Sequence, residues 1–137
     1  MSQLITGHCL CGQLTYEYRG IVGPANLCHC EDCRRCTGSA FNVGVQLETA
    51  AFRITHGTLK SHTKPGESGT PLTRYFCPEC GSPIYTASPK HPESFYVKAG
   101  SLDDPSVVHV VRQIWLDSAV PWRHIDPELP AFLRGSG

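Results

Sequence analysis

The chain has 137 residues, of which 40% are hydrophobic and 18% are charged, the balance of one globular domain rather than of a disordered chain. Twelve Lys and Arg residues offset twelve Asp and Glu residues, so a net charge of zero argues against a nucleic-acid-binding surface. No apolar run approaches the ~18 residues of a membrane span, and residues 1–10 lack the pattern of a secretory signal. We therefore expect a cytoplasmic protein that binds neither nucleic acid nor membrane.

Short segments typical of β-strands follow one another along the chain, divided by 13 glycines and 11 prolines. In the first segment, 13–19, Leu14, Tyr16 and Tyr18 alternate with polar residues, which predicts one buried face. A helical turn is predicted at Glu31–Thr37. The other predicted strands are 41–47, 51–55, 72–76, 83–86, 95–99 and 107–115.

These segments predict a mainly β fold, either a sandwich or stacked small sheets, in a single domain over 1–137. We expect its core to lie within about 4–126. The composition of Thr63–Thr70 (TKPGESGT) predicts an exposed loop. Arg134–Gly137 is expected to be a flexible tail.

Cysteine is over-represented, with eight in the chain and only one methionine. The cysteines are grouped closely, and neighbours one or two residues apart are better placed to bind one ion than to cross-link each other. Without a secretory signal the thiols are expected to stay reduced. The grouping therefore predicts metal sites rather than disulfides. The cysteines are Cys9, Cys11, Cys28, Cys30, Cys33, Cys36, Cys77 and Cys80.

The first predicted site combines two short motifs. Cys77 and Cys80 form a CxxC unit closed by Gly81, which can direct two sulfurs toward one ion. Cys9 and Cys11 form a second unit, also followed by glycine. Together the four thiolates would make a closed structural zinc site that ties the start of the chain to its middle.

The second predicted site lies at Cys28, Cys30 and Cys33, whose spacing allows three thiolates to face one ion. Three protein ligands would leave the fourth zinc position open, as in catalytic sites. Cys36 introduces an alternative, because as a fourth ligand it would close the site. Spacing does not decide between these arrangements, and we favour the open one.

Several residues near the second cysteine group are candidate metal ligands or substrate contacts. Alternation in an extended segment turns His29 away from the flanking cysteines, so we expect it to pack or to support the site rather than bind metal. Arg34 and Arg35 could bind a substrate carboxylate or lie in solvent on the helix. Ser39, in a turn with Gly38, could offer backbone N–H groups to an anion.

The segments GHCLCG (7–12), CHCEDCRRCTGS (28–39) and FCPECGSPI (76–84) resemble the glutathione-dependent formaldehyde-activating enzyme family, which includes centromere protein V. The resemblance runs from about Gly7 to Asp126. It implies a compact, zinc-stabilised arrangement of small antiparallel sheets, often called a β-tent. It also implies two zinc ions on the same two cysteine sets, with Cys28, Cys30 and Cys33 holding the second.

The family's named activity implies that this chain joins formaldehyde to glutathione, giving S-hydroxymethylglutathione, or acts as a carbon–sulfur lyase in reverse. The chain departs from the family pattern at Cys36, which is additional. It also has Gln113 where many relatives carry a histidine. If that histidine lines the family's cleft, the substrate preference here would differ.

Other functions remain consistent with the sequence. The chain could capture a thiol or carry zinc without turnover, or act as a zinc-ribbon-like interaction protein. Tyr75 and Tyr85 could supply hydroxyl groups to a substrate or simply pack within strands. We expect a small thiol such as glutathione as the partner, and the sequence leaves the oligomeric state open.

Overall fold

The computed structural model describes residues 3–134, where the backbone forms ten β-strands and one α-helix, joined by turns and short 3₁₀ segments. The helix, α1, spans Glu31–Thr37 as predicted. No helix among residues 3–134 is long and apolar enough to cross a membrane. The predicted tail lies outside these residues apart from Arg134. The strands are β1 (Gln3–His8), β2 (Thr15–Gly20), β3 (Ala25–Cys28), β4 (Asn42–Glu48), β5 (Phe52–His56), β6 (Lys60–Pro65), β7 (Pro71–Phe76), β8 (Pro83–Ala87), β9 (Ser94–Lys98) and β10 (Val110–Ile114).

The strands form two sheets. The smaller has the order β1-β2-β5, and the larger has the order β10-β3-β4-β9-β8-β7-β6. Neighbouring strands are antiparallel except β10 and β3, which run parallel. The prediction of a mainly β fold is therefore confirmed, with one parallel pair making the larger sheet mixed.

The hydrophobic core joins the two sheets. Leu14, Tyr16 and Tyr18 are buried to within 1% of complete, as their alternation predicted. The Phe52 ring lies with its centroid 5.1 Å from that of Tyr16 and 4.7 Å from that of Phe95, in tilted and edge-on arrangements that aromatic rings favour. The larger sheet contributes further buried residues, Val45, Leu47, Ile84 and Val97.

The larger sheet has a second face, turned away from this core. Successive side chains of a strand point to opposite faces. In β9, Phe95 and Val97 pack in the core, so Tyr96 and Lys98 belong to the other face. In β3 the same alternation places Cys28 on that other face. The second cysteine cluster and its surroundings are built here.

The predicted elements differ from the structure in a few places. The loop prediction for Thr63–Thr70 is wrong for its first part, because 63–65 belong to β6 and pair with β7. Strand β6 is exposed on both faces, so it shows no apolar alternation, and its pairing with β7 is what makes it a strand. Only 66–70 form the connection. Strands β1 and β3 were also missed, and the strand predicted at 107–115 is limited to Val110–Ile114.

Candidate metal centres and the adjoining cleft

Four cysteine sulfurs from two distant segments of the chain meet in one cluster. Those of Cys9, Cys11, Cys77 and Cys80 all lie within 4.8 Å of one another. The Cys9 and Cys11 sulfurs are 3.6 Å apart, and those of Cys11 and Cys77 are 3.8 Å apart. A tetrahedral zinc with bonds of ~2.3 Å would place its sulfur ligands about 3.8 Å apart. This donor set and its spacing fit a closed zinc site.

Each half of the four-sulfur cluster is a tight turn ending in glycine. The N–H of Gly12 donates to the Cys9 carbonyl at 3.1 Å, and the N–H of Gly81 donates to the Cys77 carbonyl at 2.9 Å. Both glycines have positive φ, +81° and +77°. That region disfavours residues with a Cβ, so the glycine after each cysteine pair is what lets the sulfurs converge.

Neutral hydrogen-bond donors surround the four-sulfur cluster. The Gln13 side-chain amide donates to the Cys77 sulfur at 3.2 Å. The Ser82 hydroxyl lies 3.2 Å from the Cys80 sulfur and accepts the N–H of Leu10 at 3.0 Å. Hydrogen bonds from the hydroxyl and backbone N–H of Ser82 lower the pKa of Cys80 to about 5. These donors favour the thiolate form that a metal requires.

The second cluster brings together the sulfurs of Cys28, Cys30 and Cys33, which lie within 4.8 Å of one another. Cys28 ends β3, where it pairs with Asn42 of β4. Cys30 is the N-cap of α1, and its sulfur accepts the backbone N–H of Cys33 at 3.2 Å. The helix then closes at Gly38, whose N–H donates to the Arg34 carbonyl. A short helix capped at both ends thus fixes the three sulfurs.

The three sulfurs differ in proton affinity. A hydrogen bond from Cys33 lowers the pKa of Cys28 to about 6. The same contact, together with burial, raises the pKa of Cys33, and burial raises that of Cys30. Without metal, Cys28 is therefore the cysteine that most readily becomes a thiolate, next to two neighbours that hold their protons more tightly. A metal that binds all three must displace their protons.

Cys36 lies one helical turn beyond Cys33 and is not part of this group. Its S–H donates to the Cys33 carbonyl at 3.5 Å. The Lys98 ammonium lies 3.9 Å from the same sulfur. A protonated thiol directed at a backbone carbonyl is not placed as a fourth ligand, and this geometry favours the open arrangement.

His29 is almost completely buried and is not one of the clustered residues. Its Nε2 lies 2.9 Å from the Gln113 side-chain oxygen, and its ring packs edge-on against Phe41 at 5.3 Å. The expectation that His29 packs rather than binds metal agrees with this environment. Gln113 contacts His29 and is not among the residues that line the cleft beside the three-sulfur cluster.

A cleft of about 260 Å³ opens beside the three-sulfur cluster. Most of its lining residues come from one face of the larger sheet, to which six strands contribute: β3, β4, β7, β8, β9 and β10. Gly44 lies between Asn26 and Lys98 in the sheet and contributes no side chain to the floor. Polar or aromatic residues of the wall include Asn26, Asn42, Arg74, Tyr96, Lys98 and Trp115.

The cleft carries positive charge without a matching acid. Lys98 is only 7% exposed, and its ammonium donates to the Asn42 side-chain oxygen at 2.8 Å. Arg74 also lines the cleft, and no Asp or Glu is among the described residues that do. Glu31 and Asp32, the acids nearest in sequence to the cluster, pair instead with Arg35 and Lys64 at the surface.

Two further residues of the cleft show unusual local environments. The side-chain oxygen of Asn26 is buried and has no hydrogen-bond partner among residues 3–134. A buried acceptor left unpaired costs about 1–3 kcal/mol unless a donor from water or a ligand meets it. Trp115 has a φ of +62°, a strained conformation for a non-glycine residue, and its half-exposed ring borders the cleft.

The residues predicted to contact substrate lie elsewhere. Arg34, Arg35 and Ser39 are not among the residues lining this cleft. Arg35 pairs with Glu31 at 3.0 Å, and the Ser39 N–H donates to the Thr37 hydroxyl at 3.2 Å. Their predicted role therefore has no support in this geometry.

The two tyrosines that could supply hydroxyl groups or pack within strands are found in packing positions. Tyr75 and Tyr85 stack on each other with ring centroids 4.4 Å apart. Tyr85 also packs edge-on against Phe52 and Phe95 of the core, and burial raises its pKa. Both rings stabilise the packing of the sheet and leave the cleft to other residues.

The sequence motifs did not identify the cleft residues because these residues come from separate strands. One signal was present: Lys98 interrupts the apolar strand Phe95–Ala99 at a position that alternation assigns to the same face as Tyr96. Arg74 similarly shares its face of β7 with Leu72. A charged residue within an apolar strand is a usable, though unspecific, indication of a site on the opposite face from the core.

A mainly β domain with a four-sulfur cluster and a three-sulfur cluster beside a cleft defines a class of protein that could hold two metal ions. Comparison with known proteins narrows this class. Residues 4–118 match the family model described as glutathione-dependent formaldehyde-activating enzyme, and the chain belongs to that family.

Two individual proteins are similar to this chain. A curated protein of Halomonas elongata, whose name provisionally assigns it the same enzyme activity, is 26% identical over 90% of this chain and 82% of its own length. A crystal structure of a Rhodobacter sphaeroides protein superposes with a TM-score of 0.60 at 22% identity, covering 79% of this chain and 98% of that one. The latter is similar in fold.

Proposed function

We propose that the protein is a zinc enzyme that adds a thiol such as glutathione to formaldehyde or a related small aldehyde, or cleaves the resulting adduct. Family membership supports the thiol and the aldehyde as substrate classes. The observation that carries the proposal is the three-sulfur cluster opening into a cleft, because it offers one more ligand position than the protein fills. The cleft is the proposed active site.

The proposed cofactors are two zinc ions. Cys9, Cys11, Cys77 and Cys80 would hold a structural ion, and Cys28, Cys30 and Cys33 would hold a second. At the second site, zinc would supply an open coordination position and lower the pKa of a thiol placed there.

The reaction itself requires little beyond holding the thiol and the aldehyde close together. The thiol sulfur forms a bond to the carbonyl carbon, the C=O π bond breaks with its electron pair moving to the oxygen, and the thiol proton ends on that oxygen. Lys98, buried and charged beside the cluster, would stabilise the negative charge that develops on the oxygen. The unpaired oxygen of Asn26 would accept an N–H or O–H group of the substrate.

The walls of the cleft would hold the two reactants together. Trp115 and Tyr96 line the cleft, and their rings would exclude water from the reacting atoms once both reactants are bound. No carboxylate of the described lining is available as a general base, so proximity and charge stabilisation are expected to supply most of the rate enhancement.

Calorimetry on the zinc-loaded protein tests this proposal. Glutathione would be titrated with and without formaldehyde, and S-methylglutathione, whose sulfur carries no proton, would serve as the control. We expect saturable binding of glutathione and none of the control at the same concentrations. No binding by a protein shown to hold two zinc ions would contradict the proposal.

Turnover distinguishes the main alternative, a module that captures thiols without catalysis. Formation of the hydroxymethyl adduct can be followed by ¹³C NMR with labelled formaldehyde, against the uncatalysed rate in the same buffer. Thiol binding with no acceleration would favour the non-catalytic module.

A further inference from the structure

Arg74 is a half-buried cation with no partner. It lies on β7, and no ion pair or side-chain hydrogen bond involves it among residues 3–134. Its side chain lines the cleft and also a smaller cavity of about 90 Å³ that it shares with Cys36 and Lys98. Taking part of a guanidinium group out of water is costly unless an opposite charge or a hydrogen-bond acceptor meets it.

Several basic residues at the surface of this protein are paired. Arg35 binds Glu31, Arg53 binds Glu17 and Lys64 binds Asp32. Others, such as the exposed Arg19 and Arg112 and the half-buried Arg34, have no acid partner among residues 3–134. Arg74 differs from them in lining the cleft beside the three-sulfur cluster, where an anionic molecule that enters would meet its charge.

The charge balance of the cleft separates the roles of its two cations. A zinc ion with three thiolates carries one net negative charge. Lys98 is the cation placed to balance it, since its ammonium lies near Cys36 of the same helix and is fixed by Asn42. The positive charge of Arg74 then remains without a negative charge to balance it. A guanidinium presents paired N–H groups that match the two oxygens of a carboxylate.

We propose that Arg74 is a specificity-determining residue that selects thiols bearing a carboxylate. This inference rests on the proposed function, because it requires thiols to bind in the cleft. It names the substrate class more narrowly: small mercaptocarboxylates and peptide thiols, of which glutathione, with two carboxylates, is one. The carboxylate would bind Arg74 while the sulfur occupies the three-cysteine cluster.

A series of matched ligands tests this role by binding alone. ω-Mercaptocarboxylates from mercaptoacetate to 6-mercaptohexanoate would each be titrated into zinc-loaded protein beside the corresponding carboxamide. The members of a pair have nearly the same size and shape, but the amide is neutral and has an NH2 group in place of one carboxylate oxygen. The acid is expected to bind roughly 10- to 100-fold more tightly than its amide at the chain length that spans the cleft, as charged hydrogen bonds allow.

Three variants assign that preference to a residue. Arg74→Gln should reduce the acid-to-amide ratio to within about threefold, and Arg74→Lys should retain part of it, because a lysine keeps the charge but not the paired donors. Arg19→Gln, an exposed arginine on β2 of the other sheet, should leave the ratio unchanged. Zinc content and circular dichroism establish that each variant is folded. If Arg74→Gln does not fold, Arg74→Lys must still lower the ratio.

The outcomes separate this inference from the proposed function. Equal binding of acid and amide at every chain length would overturn the role of Arg74 and leave thiol binding intact. A preference that survives in Arg74→Gln would overturn it equally. If neither acids nor amides bind, the proposed function fails and the inference fails with it.

Discussion

The two cysteine clusters share one ligand chemistry and differ in how the chain builds and surrounds them. The four-sulfur cluster joins segments 66 residues apart, Cys11 to Cys77, and neutral donors such as Gln13 and Ser82 contact its sulfurs. The three-sulfur cluster is formed within six residues of sequence and opens into a cleft with two cations, Arg74 and Lys98.

This difference reflects what each cluster must accommodate. A closed site keeps a constant charge, so fixed amide and hydroxyl dipoles are enough to stabilise it. An open site gains charge when an anionic ligand enters, and ammonium and guanidinium groups beside it can balance that change. The comparison predicts that the first cluster stabilises the fold and the second serves function.

The largest effect is expected when the closed cluster loses a ligand. Cys77 is completely buried between the two sheets, and Cys77→Ser would remove one of four proposed zinc ligands. Structural zinc contributes about 10–16 kcal/mol in small domains, comparable with or larger than the ~5–15 kcal/mol stability of a whole domain. We expect loss of the cooperative thermal transition, measured by circular dichroism. A native melting curve would show that this cluster does not stabilise the fold.

A ligand of the open cluster can be removed with less disturbance. In Cys30→Ser the new hydroxyl can still cap α1, because serine is a preferred N-cap residue and Cys30 occupies that position. The variant should lose one of two zinc ions and bind glutathione at least ~100-fold more weakly. Its melting temperature should stay within roughly 4 °C of the parent, the shift given by about 1 kcal/mol in a domain of this size. Unfolding like that of Cys77→Ser would remove the distinction between the clusters.

The sequence predicted the clusters better than it predicted the cleft. Cysteine spacing and the adjoining glycines are local, so Cys9, Cys11, Cys77 and Cys80 could be grouped without knowing the fold. The strand alternation of Leu14, Tyr16 and Tyr18 was similarly readable. Cysteine spacing and strand alternation depend on short-range geometry, which is the same wherever such a pattern occurs in a sequence.

The cleft depends on the order of strands in the larger sheet, which no local pattern encodes. Arg74 on β7 and Lys98 on β9 meet the cysteines of β3 and α1 only because β4, β9, β8 and β7 are successive neighbours. Sequence proximity suggested Arg34 and Arg35 instead. The same limitation concealed β6, a strand defined by its partner rather than by its own composition.

A smaller effect is expected from the neutral donors around the closed cluster. Ser82→Ala removes the hydroxyl near the Cys80 sulfur and leaves the Leu10 N–H without its acceptor. Such second-sphere contacts contribute about 10- to 100-fold to metal affinity. Competition with a zinc chelator should show that loss for one ion only, and Ser39→Ala provides an exposed serine control. An equal change at both ions would argue that the two clusters are coupled.

The smallest effect is expected from a substitution of Cys36. Its result decides whether the second cluster is open. The Cys36 thiol donates to the Cys33 carbonyl, a bond that a serine hydroxyl can also make. Cys36→Ser should therefore keep both zinc ions and change glutathione affinity by less than about threefold, within the ±0.5 kcal/mol typical of substitutions that spare key contacts. Zinc analysis together with calorimetry measures both quantities. Loss of one zinc ion would identify Cys36 as a fourth ligand, and the second cluster would then be a closed site like the first, with no position left for a substrate thiol.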